Sequence, residues 1–298
     1  MLKIKGYIKL IAKYIWWSRK KFKSRYISDK DYITREYQKE FGEKPNLDKP
    51  LTFTEKINWL KLYCQDDLLT ACADKYKVRE FVRERGCEEI LKQLYGVYTK
   101  TADINLTNLP NSFALKVNHG CKQQLLCVNK ENVDWNFCYR LFDFYLKFSN
   151  YYVAREWAYK NILPRIICEE HLNPTGVPFY EYNFYCYDGV PRFVEVIYKI
   201  DSKNKQAGMF DINLNSLNRE YQAKKLDLVP KTTESYKKMV AYAAKLSEGF
   251  RFVRVDLSFA NEKIYFGELT FYPLGGIYKF KPISLDHKLG EFLKIPDL

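Results

Sequence analysis

Between Arg251 and Gly276 the apolar and polar positions alternate in two runs. Val253, Val255, Leu257 and Phe259 interleave with Arg254, Asp256 and Ser258, and Tyr265, Leu269 and Phe271 interleave with Phe266, Glu268 and Thr270. Period two over both arms predicts a half-buried β-hairpin. Directly opposed residues of an antiparallel pair share a face. A three-residue loop, Asn261-Glu262-Lys263, brings the two apolar sets together and sets Asp256 opposite Glu268 and Arg254 opposite Thr270.

The rest of the chain reads as helices first and strands later. In residues 1–27, Ile4, Ile8, Ala12 and Ile15 share a helical face, with Leu10, Tyr14 and Trp17 near it. Residues 31–49 are polar and helix-like until KPNLDKP breaks them. Leu51–Leu62 predicts a helix capped by Thr52 or Thr54, with Ile57, Trp59 and Leu60 as its apolar stripe. A further helix is expected from Ala73 to about Arg85, where Gly86 stops it. Two short strands flank Asn118-His119-Gly120-Cys121-Lys122-Gln123-Gln124 within residues 112–128. Residues 131–160 read as helical and aromatic, and Pro164–Leu172 as a buried strand ending in Glu169 and Glu170. Residues 179–201 read as two strands joined at Asp188-Gly189, a strong hairpin signal, and a helix is expected from Pro230 to Gly249.

Two opposed carboxylates on one sheet face repel each other. A divalent cation would offset that repulsion, and hard oxygen ligands suit Mg²⁺. The alternative is a solvated face on which Arg254 neutralises one acid. Without metal, the repulsion predicts at least one raised carboxyl pKa. On the same ground, Glu268→Gln is expected to leave an unliganded chain at least as stable.

Composition narrows the classes. The chain has 298 residues, 47% of them hydrophobic, enough to bury the core of one large domain or two modest ones. No run of 18 apolar residues occurs, so no transmembrane helix is expected. The eight cysteines form neither C-x-x-C nor a Cys/His metal spacing, and scattered thiols fit a cytoplasmic location. The net charge is +13, and residues 1–30 hold ten Lys or Arg against one Asp. Basic charge concentrated in one arm argues against a nucleic-acid groove along the whole chain. A basic amphipathic helix bearing Trp can lie on an anionic leaflet, peripheral on the inner membrane face. Equally, it can be an ordinary first helix packed on the body.

The pattern D-x₁₁-E-x-T from Asp256, with R-V-D before it and F-Y-P-x-G-G after it, resembles the metal-binding end of ATP-grasp enzymes. The wording RVD, YFGELTFYP and GG resembles more narrowly the TupA-like branch, named for teichuronopeptide synthesis, and so does P-L-T-F-T-E-K-I-N-W-L-K-L from Pro50. The resemblance implies an α+β, two-lobed ATP-grasp fold with a helical N-terminal extension. It divides the chain into a basic helical region, 1–70, and a body, 71–298, whose small lobe covers about 100–168 and large lobe about 169–298.

The same resemblance implies roles for particular residues. Lys75 matches the Lys of D-K-x-x-x-R, which meets nucleotide phosphates, and Lys116 the Lys of the first small-lobe strand. The loop holding His119 and Gly120 would cover those phosphates, with His119 either structural or part of the site. Backbone groups at Glu169 and Glu170 would meet adenine. Arg155-Glu156-Trp157 and Tyr159 match an E-W-x-Y-K motif. Asp256, Glu268 and Thr270 would hold Mg²⁺, and Arg254 would be catalytic. Three departures stand out: Thr270 replaces the usual Asn, Asn183 replaces a usual Lys, and Gly120 is the loop's one glycine. The implied activity is ATP- and Mg²⁺-dependent ligation of a carboxylate, free or on a saccharide, to an amine through an acyl phosphate, decorating a bacterial surface polysaccharide. The alternatives are a phosphotransferase or glycosyltransferase of the same capsule pathway, or a nucleotide-binding membrane module without turnover.

Overall fold

The computed structural model describes residues 2–199, 204–220, 224–226 and 231–296, with side chains from Tyr7 onward. Ile4 therefore falls outside the described side chains, and Ile200, Asp201 and Pro230 outside the described residues. Five helices come first: α1 (Leu2–Lys23), α2 (Asp29–Phe41), α3 (Phe53–Tyr63), α4 (Asp67–Ala73) and α5 (Val78–Glu84). Strands β1 (Leu94–Tyr98), β2 (Phe113–Val117) and β3 (Gln124–Cys127) precede α6 (Trp135–Lys147), α7 (Tyr151–Ala154) and β4 (Ile166–Glu169). Then come β5 (Phe179–Tyr187), β6 (Val190–Lys199), β7 (Lys205–Asp211) and β8 (Lys224–Lys225). The chain closes with α8 (Glu234–Ser247), β9 (Phe252–Ala260), β10 (Lys263–Thr270) and α9 (Ile283–Glu291).

The strands form two sheets. The smaller has the order β1-β4-β2-β3, and the larger β10-β9-β5-β6-β7-β8. The architecture is α+β, as expected. Each sheet has its own core. Trp17 of α1 and Phe142 and Phe144 of α6 pack with Phe113, Leu115 and Ile166 of the small sheet. Met239, Ala243 and Leu246 of α8 pack with Phe184, Val194, Val253 and Val255 of the large one.

The final hairpin shows how turn chemistry set the register. The connection is a two-residue turn, with Ala260 paired to Lys263 and both Asn261 (φ 50°) and Glu262 (φ 60°) left-handed. This corrects the expected three-residue loop, because two consecutive left-handed residues make the tight turn whose twist matches the strands. From that turn alone, Asp256 and Glu268 would fall out of register. A bulge between Phe266 and Glu268 inserts Gly267 and restores the opposition of Asp256 to Glu268 and of Arg254 to Thr270. Only glycine fits there, since a Cβ would sit 2.8 Å from the Asp256 carbonyl oxygen. The bulge also makes Phe266, not Tyr265, join the core with Leu269.

Two expected helices are interrupted. The one foreseen from Ala73 to Arg85 breaks between α4 and α5, because the Asp74 carboxylate accepts from the N–H groups of Tyr76 (2.8 Å) and Lys77 (3.2 Å). An Asp bonding the backbone two residues on competes with the helix ladder. Residues 131–160 likewise divide into α6 and α7. The α3 cap is Thr52, whose hydroxyl accepts from the Glu55 N–H while Glu55 reaches back to the Thr52 N–H, a complete capping box.

Helix α1 packs on the small-sheet core through Leu10, Tyr14 and Trp17. The stripe read from the sequence as its main apolar face is instead exposed: Ile8 at 60% and Ile15 at 46%.

Candidate active site

The break after α4 carries Lys75 to the seam between the sheets. Its N–H donates to the Asn118 carbonyl at the end of β2 (3.0 Å). Its ammonium donates to Glu268 Oε2 on β10 (2.7 Å). One residue thus ties the two sheets together. Burial works against the Lys75 charge, but Glu268 raises its pKa overall.

On the small-sheet side, Lys116 of β2 lies 2.5 Å from Glu169 Oε1 of β4, and Lys92, just before β1, lies 3.3 Å from the same oxygen. Two ammonium groups share one carboxylate. Burial would raise the Glu169 pKa, yet Lys92 and Lys116 hold it at about 2. Burial and then the Lys92 charge push Lys116 down to about 8, despite Glu169. Arg79 stands beside them, donating to the Lys92 carbonyl (2.9 Å). A small cavity at this seam is lined by Lys75, Arg79, Lys92, Lys116, Glu169 and Gly267. Four cations surround it and one carboxylate belongs to its wall. Such a concentration of positive charge gives the seam a field that favours anions, part of it already met by Glu169 and Glu268.

The large sheet supplies the opposite wall. Cross-strand pairing lines up Glu268, Asp256, Asn183 and Glu195 across β10, β9, β5 and β6. Asp256 takes two bonds from Arg254, Nε to Oδ1 at 2.7 Å and a terminal guanidinium nitrogen to Oδ2 at 2.6 Å. Thr270 Oγ1 stands 3.5 Å from Asp256 Oδ2 and 3.5 Å from Glu268 Oε1, between the two acids. Burial raises the Asp256 pKa; Arg254 opposes the rise and Glu268 adds to it. Burial would also raise Glu268, but Lys75 first, then Arg254 and Lys116, hold it at about 2. The raised carboxyl expected from repulsion is therefore present, with burial as its leading cause. The opposed acids are each matched to a cation of their own.

This donor set suits Mg²⁺ in one way. Among the described residues no three His, Cys, Asp or Glu are grouped to hold a metal. Mg²⁺ usually keeps several waters and takes only one or two carboxylates plus substrate phosphates. Asp256 and Glu268, with the Thr270 hydroxyl between them, fit that partial shell.

The remaining predicted residues are placed differently. The His119 ring is buried, with Nδ1 3.0 Å from Asn118 Oδ1 and Nε2 3.1 and 2.8 Å from the carbonyl oxygens of Tyr145 and Phe148. Both nitrogens are engaged, so the ring ties the loop to the end of α6, and burial lowers its pKa. Gly120 packs against Gln123, whose side-chain oxygen would lie 1.7 Å from an added Cβ. The Glu170 N–H donates to the Gln93 carbonyl (2.9 Å). Glu169 enters the seam through its carboxylate.

Several members of the site were missed in the sequence. Arg79 is the Arg of the D-K-x-x-x-R pattern and could have been found there. Lys92 and Glu195 carry no local signal; Arg219 donates to Glu195 Oε1 at 2.7 Å. Helix α3 does more than its pattern suggests. Asn58 donates to the carbonyls of Thr54 (2.9 Å) and Gly276 (2.6 Å), and Lys61, itself buried, donates to Asn58 Oδ1 (3.0 Å). Thr54 donates its N–H and hydroxyl to Asp286 (3.0 and 2.6 Å). The Asn58 bond holds the loop after β10 at Gly276, and the Thr54 bonds hold α9.

The family profile described as "TupA-like ATPgrasp" matches residues 55–294. No curated protein matches the chain. Among solved structures, the D-alanine-D-alanine ligase of Helicobacter pylori is 14% identical, with a TM-score of 0.43 over 75% of this chain and 61% of that one. The D-alanine–D-alanine ligase of Bacillus anthracis complexed with ATP is 14% identical, with a TM-score of 0.42 over 74% and 64%. The L-amino acid ligase of Bacillus licheniformis is 13% identical, with a TM-score of 0.45 over 84% and 55%. The chain thus spans between 55% and 64% of the length of these structures.

Proposed function

The chain belongs to the TupA-like ATP-grasp family, and we propose that its seam binds ATP and Mg²⁺ and joins a carboxylate to an amine. The observation that carries this reading is the cavity walled by Lys75, Arg79, Lys92 and Lys116, whose Lys75 is bonded to Glu268 of β10, itself opposite Asp256 of β9. In the proposed reaction a carboxylate oxygen attacks the γ-phosphorus and ADP leaves. The amine nitrogen then attacks the acyl carbon and phosphate leaves. The obstacle is charge, since an anion must approach a polyanion. Bound Mg²⁺ would neutralise the phosphate oxygens that face Asp256 and Glu268.

The chain's own groups supply the rest. Lys75 and Lys116 now rest on carboxylates, and phosphate oxygens would take over those ammonium groups. Lys92 would keep Glu169 paired when Lys116 leaves it. Arg254, opposite Thr270, would stabilise charge on the transferring group. Glu169 and Glu170, at the end of β4, would flank the adenine, and the His119–Gly120 loop would cover the phosphates.

The substrates we assign are a carboxylate, free or on a saccharide, and an amine, joined in the decoration of a bacterial surface polysaccharide, on the strength of the sequence resemblance alone. The basic α1 would set the enzyme on an anionic membrane surface. Among the described residues no helix is long and apolar enough to cross a membrane.

Calorimetry with a non-hydrolysable ATP analogue and Mg²⁺ tests the site. Lys116→Ala should weaken binding by about tenfold or more, as expected for a charge-assisted bond of roughly 1.5–3 kcal/mol. Equal affinity in the variant would remove Lys116 from the phosphate site. Release of ADP and free phosphate with an amide product identifies the ligase; a phosphorylated product identifies a phosphotransferase.

A further inference from the structure

A second cavity lies far along the chain from the catalytic motifs, between α1 and α2. It is lined by Ile15, Trp16, Arg19 and Lys23 of α1 and by Tyr32 and Arg35 of α2, among others. Two chemistries meet in it. Along α1, Ile8 (60% exposed), Ile11 (59%), Ile15 (46%) and Trp16 (45%) form an apolar strip open to solvent. At about 100° per residue this strip lies roughly opposite the face on which Leu10, Tyr14 and Trp17 meet the body. Helix α1 therefore has two apolar sides, and packing uses one of them.

The charged half of the cavity is just as distinctive. Lys20 donates to the Tyr32 hydroxyl (2.9 Å) and stands over its ring. Lys39 is paired with Glu36 at 2.5 Å. Arg19, Lys23 and Arg35 line the same walls with no carboxylate partner among the described residues. Three unmatched cations beside an exposed Ile and Trp strip are complementary to an amphiphile with an anionic head.

We propose that this groove is a binding site for the phosphate headgroup of an anionic phospholipid, with the acyl chain lying along Ile11, Ile15 and Trp16. The proposal deepens the membrane-surface reading of α1 and rests on it. It adds that α2, through Arg35, forms half of the site, so the leaflet is met by two helices rather than by a basic arm. Both helices stand on the small-sheet side, through Trp17 against Phe148 and through Tyr32 donating to the Val153 carbonyl (2.6 Å). Lipid contact would hold that half of the molecule at the surface.

Flotation of the full chain with vesicles of phosphatidylcholine, with and without phosphatidylglycerol, tests this. Binding should require phosphatidylglycerol, fall with salt, and persist in millimolar inorganic phosphate. The double variant R19E/R35E should bind about tenfold or more weakly, and R19K/R35K should bind as the wild type does. Both residues are exposed, so folding should be intact by circular dichroism. K116A should float like the wild type, which separates this result from the fate of the nucleotide site. Flotation of R19E/R35E equal to wild type would overturn the groove and leave α1 alone as the contact. Displacement by inorganic phosphate would make the ligand a soluble phosphate. No flotation of the wild type would overturn the groove and the membrane reading together.

Discussion

Glu268→Gln should abolish ATP turnover, by roughly 10²–10³-fold, in a protein that folds but is less stable than the wild type. Glu268 serves two partners in this account. With substrate present it is one of the two acids fitted to Mg²⁺. In the free protein it is the anion that matches Lys75. The amide keeps the shape and loses the charge needed for both. The sequence alone argued for equal or greater stability, because two opposed carboxylates repel. The structure reverses that sign. The Glu268 pKa is held at about 2, below its ordinary 4.5, with Lys75 as the main counterweight to burial. A carboxyl lowered on folding adds stability that is fully present above its unfolded pKa and lost as pH falls through its folded value. The deficit of the variant should thus be full near neutrality and shrink below about pH 4. Urea denaturation at several pH values measures it. A variant with normal Mg²⁺-dependent turnover would sink the assignment.

Arg254→Ala should be the most damaging single change to stability at this site, by about 3–5 kcal/mol. It leaves Asp256 partly buried without the guanidinium that now donates to both of its oxygens. The pH dependence has the same sign as that of Glu268, but its window lies higher, because Asp256 sits at about 7 rather than about 2. Burial already raises Asp256, and Arg254 is what opposes the rise. Without it the carboxyl would bind its proton more tightly in the fold. The penalty should therefore be largest at high pH and fade as falling pH protonates Asp256 in both proteins. Arg254→Lys keeps a cation but cannot form the two-pronged bond. It should recover part of the stability and little of the ATP turnover. Full recovery of turnover by Lys would reduce Arg254 to a neutralising charge.

The part of the site written in the sequence is the part set by alternation and by short motifs. Period two over residues 253–271 opposes Asp256 and Glu268 only with one residue beyond a two-residue turn, a residue read as part of the loop and supplied in the structure by the bulge at Gly267. The bulge compensates the tighter turn, and neither has an alternation signature of its own. Lys75 was visible in its motif, but its reach was not. The Asp74 turn that ends α4 is what swings it across to Glu268. His119 belongs to the phosphate loop by position, and its ring is bonded to the carbonyls of Tyr145 and Phe148 at the end of α6. Asn183 and Glu195 became neighbours of the motif residues through strand pairing between distant segments, and Lys92, just before β1, through its side chain's reach to Glu169; no local pattern encodes either. On α1 the sequence groups Leu10, Tyr14 and Trp17 near the face of Ile8 and Ile15, whereas in the structure the two sets lie on roughly opposite sides. Only packing decides which stripe meets the body.

The central claim is that one anion-binding seam serves ATP and Mg²⁺ between the two sheets. A crystal structure with Mg²⁺ and a non-hydrolysable ATP analogue tests it most directly. The account predicts the phosphates in the cavity of Lys75, Arg79, Lys92 and Lys116, with Lys75 drawn from Glu268 and Lys116 from Glu169. It predicts Mg²⁺ at about 2.0–2.1 Å from carboxylate oxygens of Asp256 and Glu268, or one water removed. Nucleotide bound elsewhere, with the Lys75–Glu268 and Lys116–Glu169 pairs intact, would contradict it.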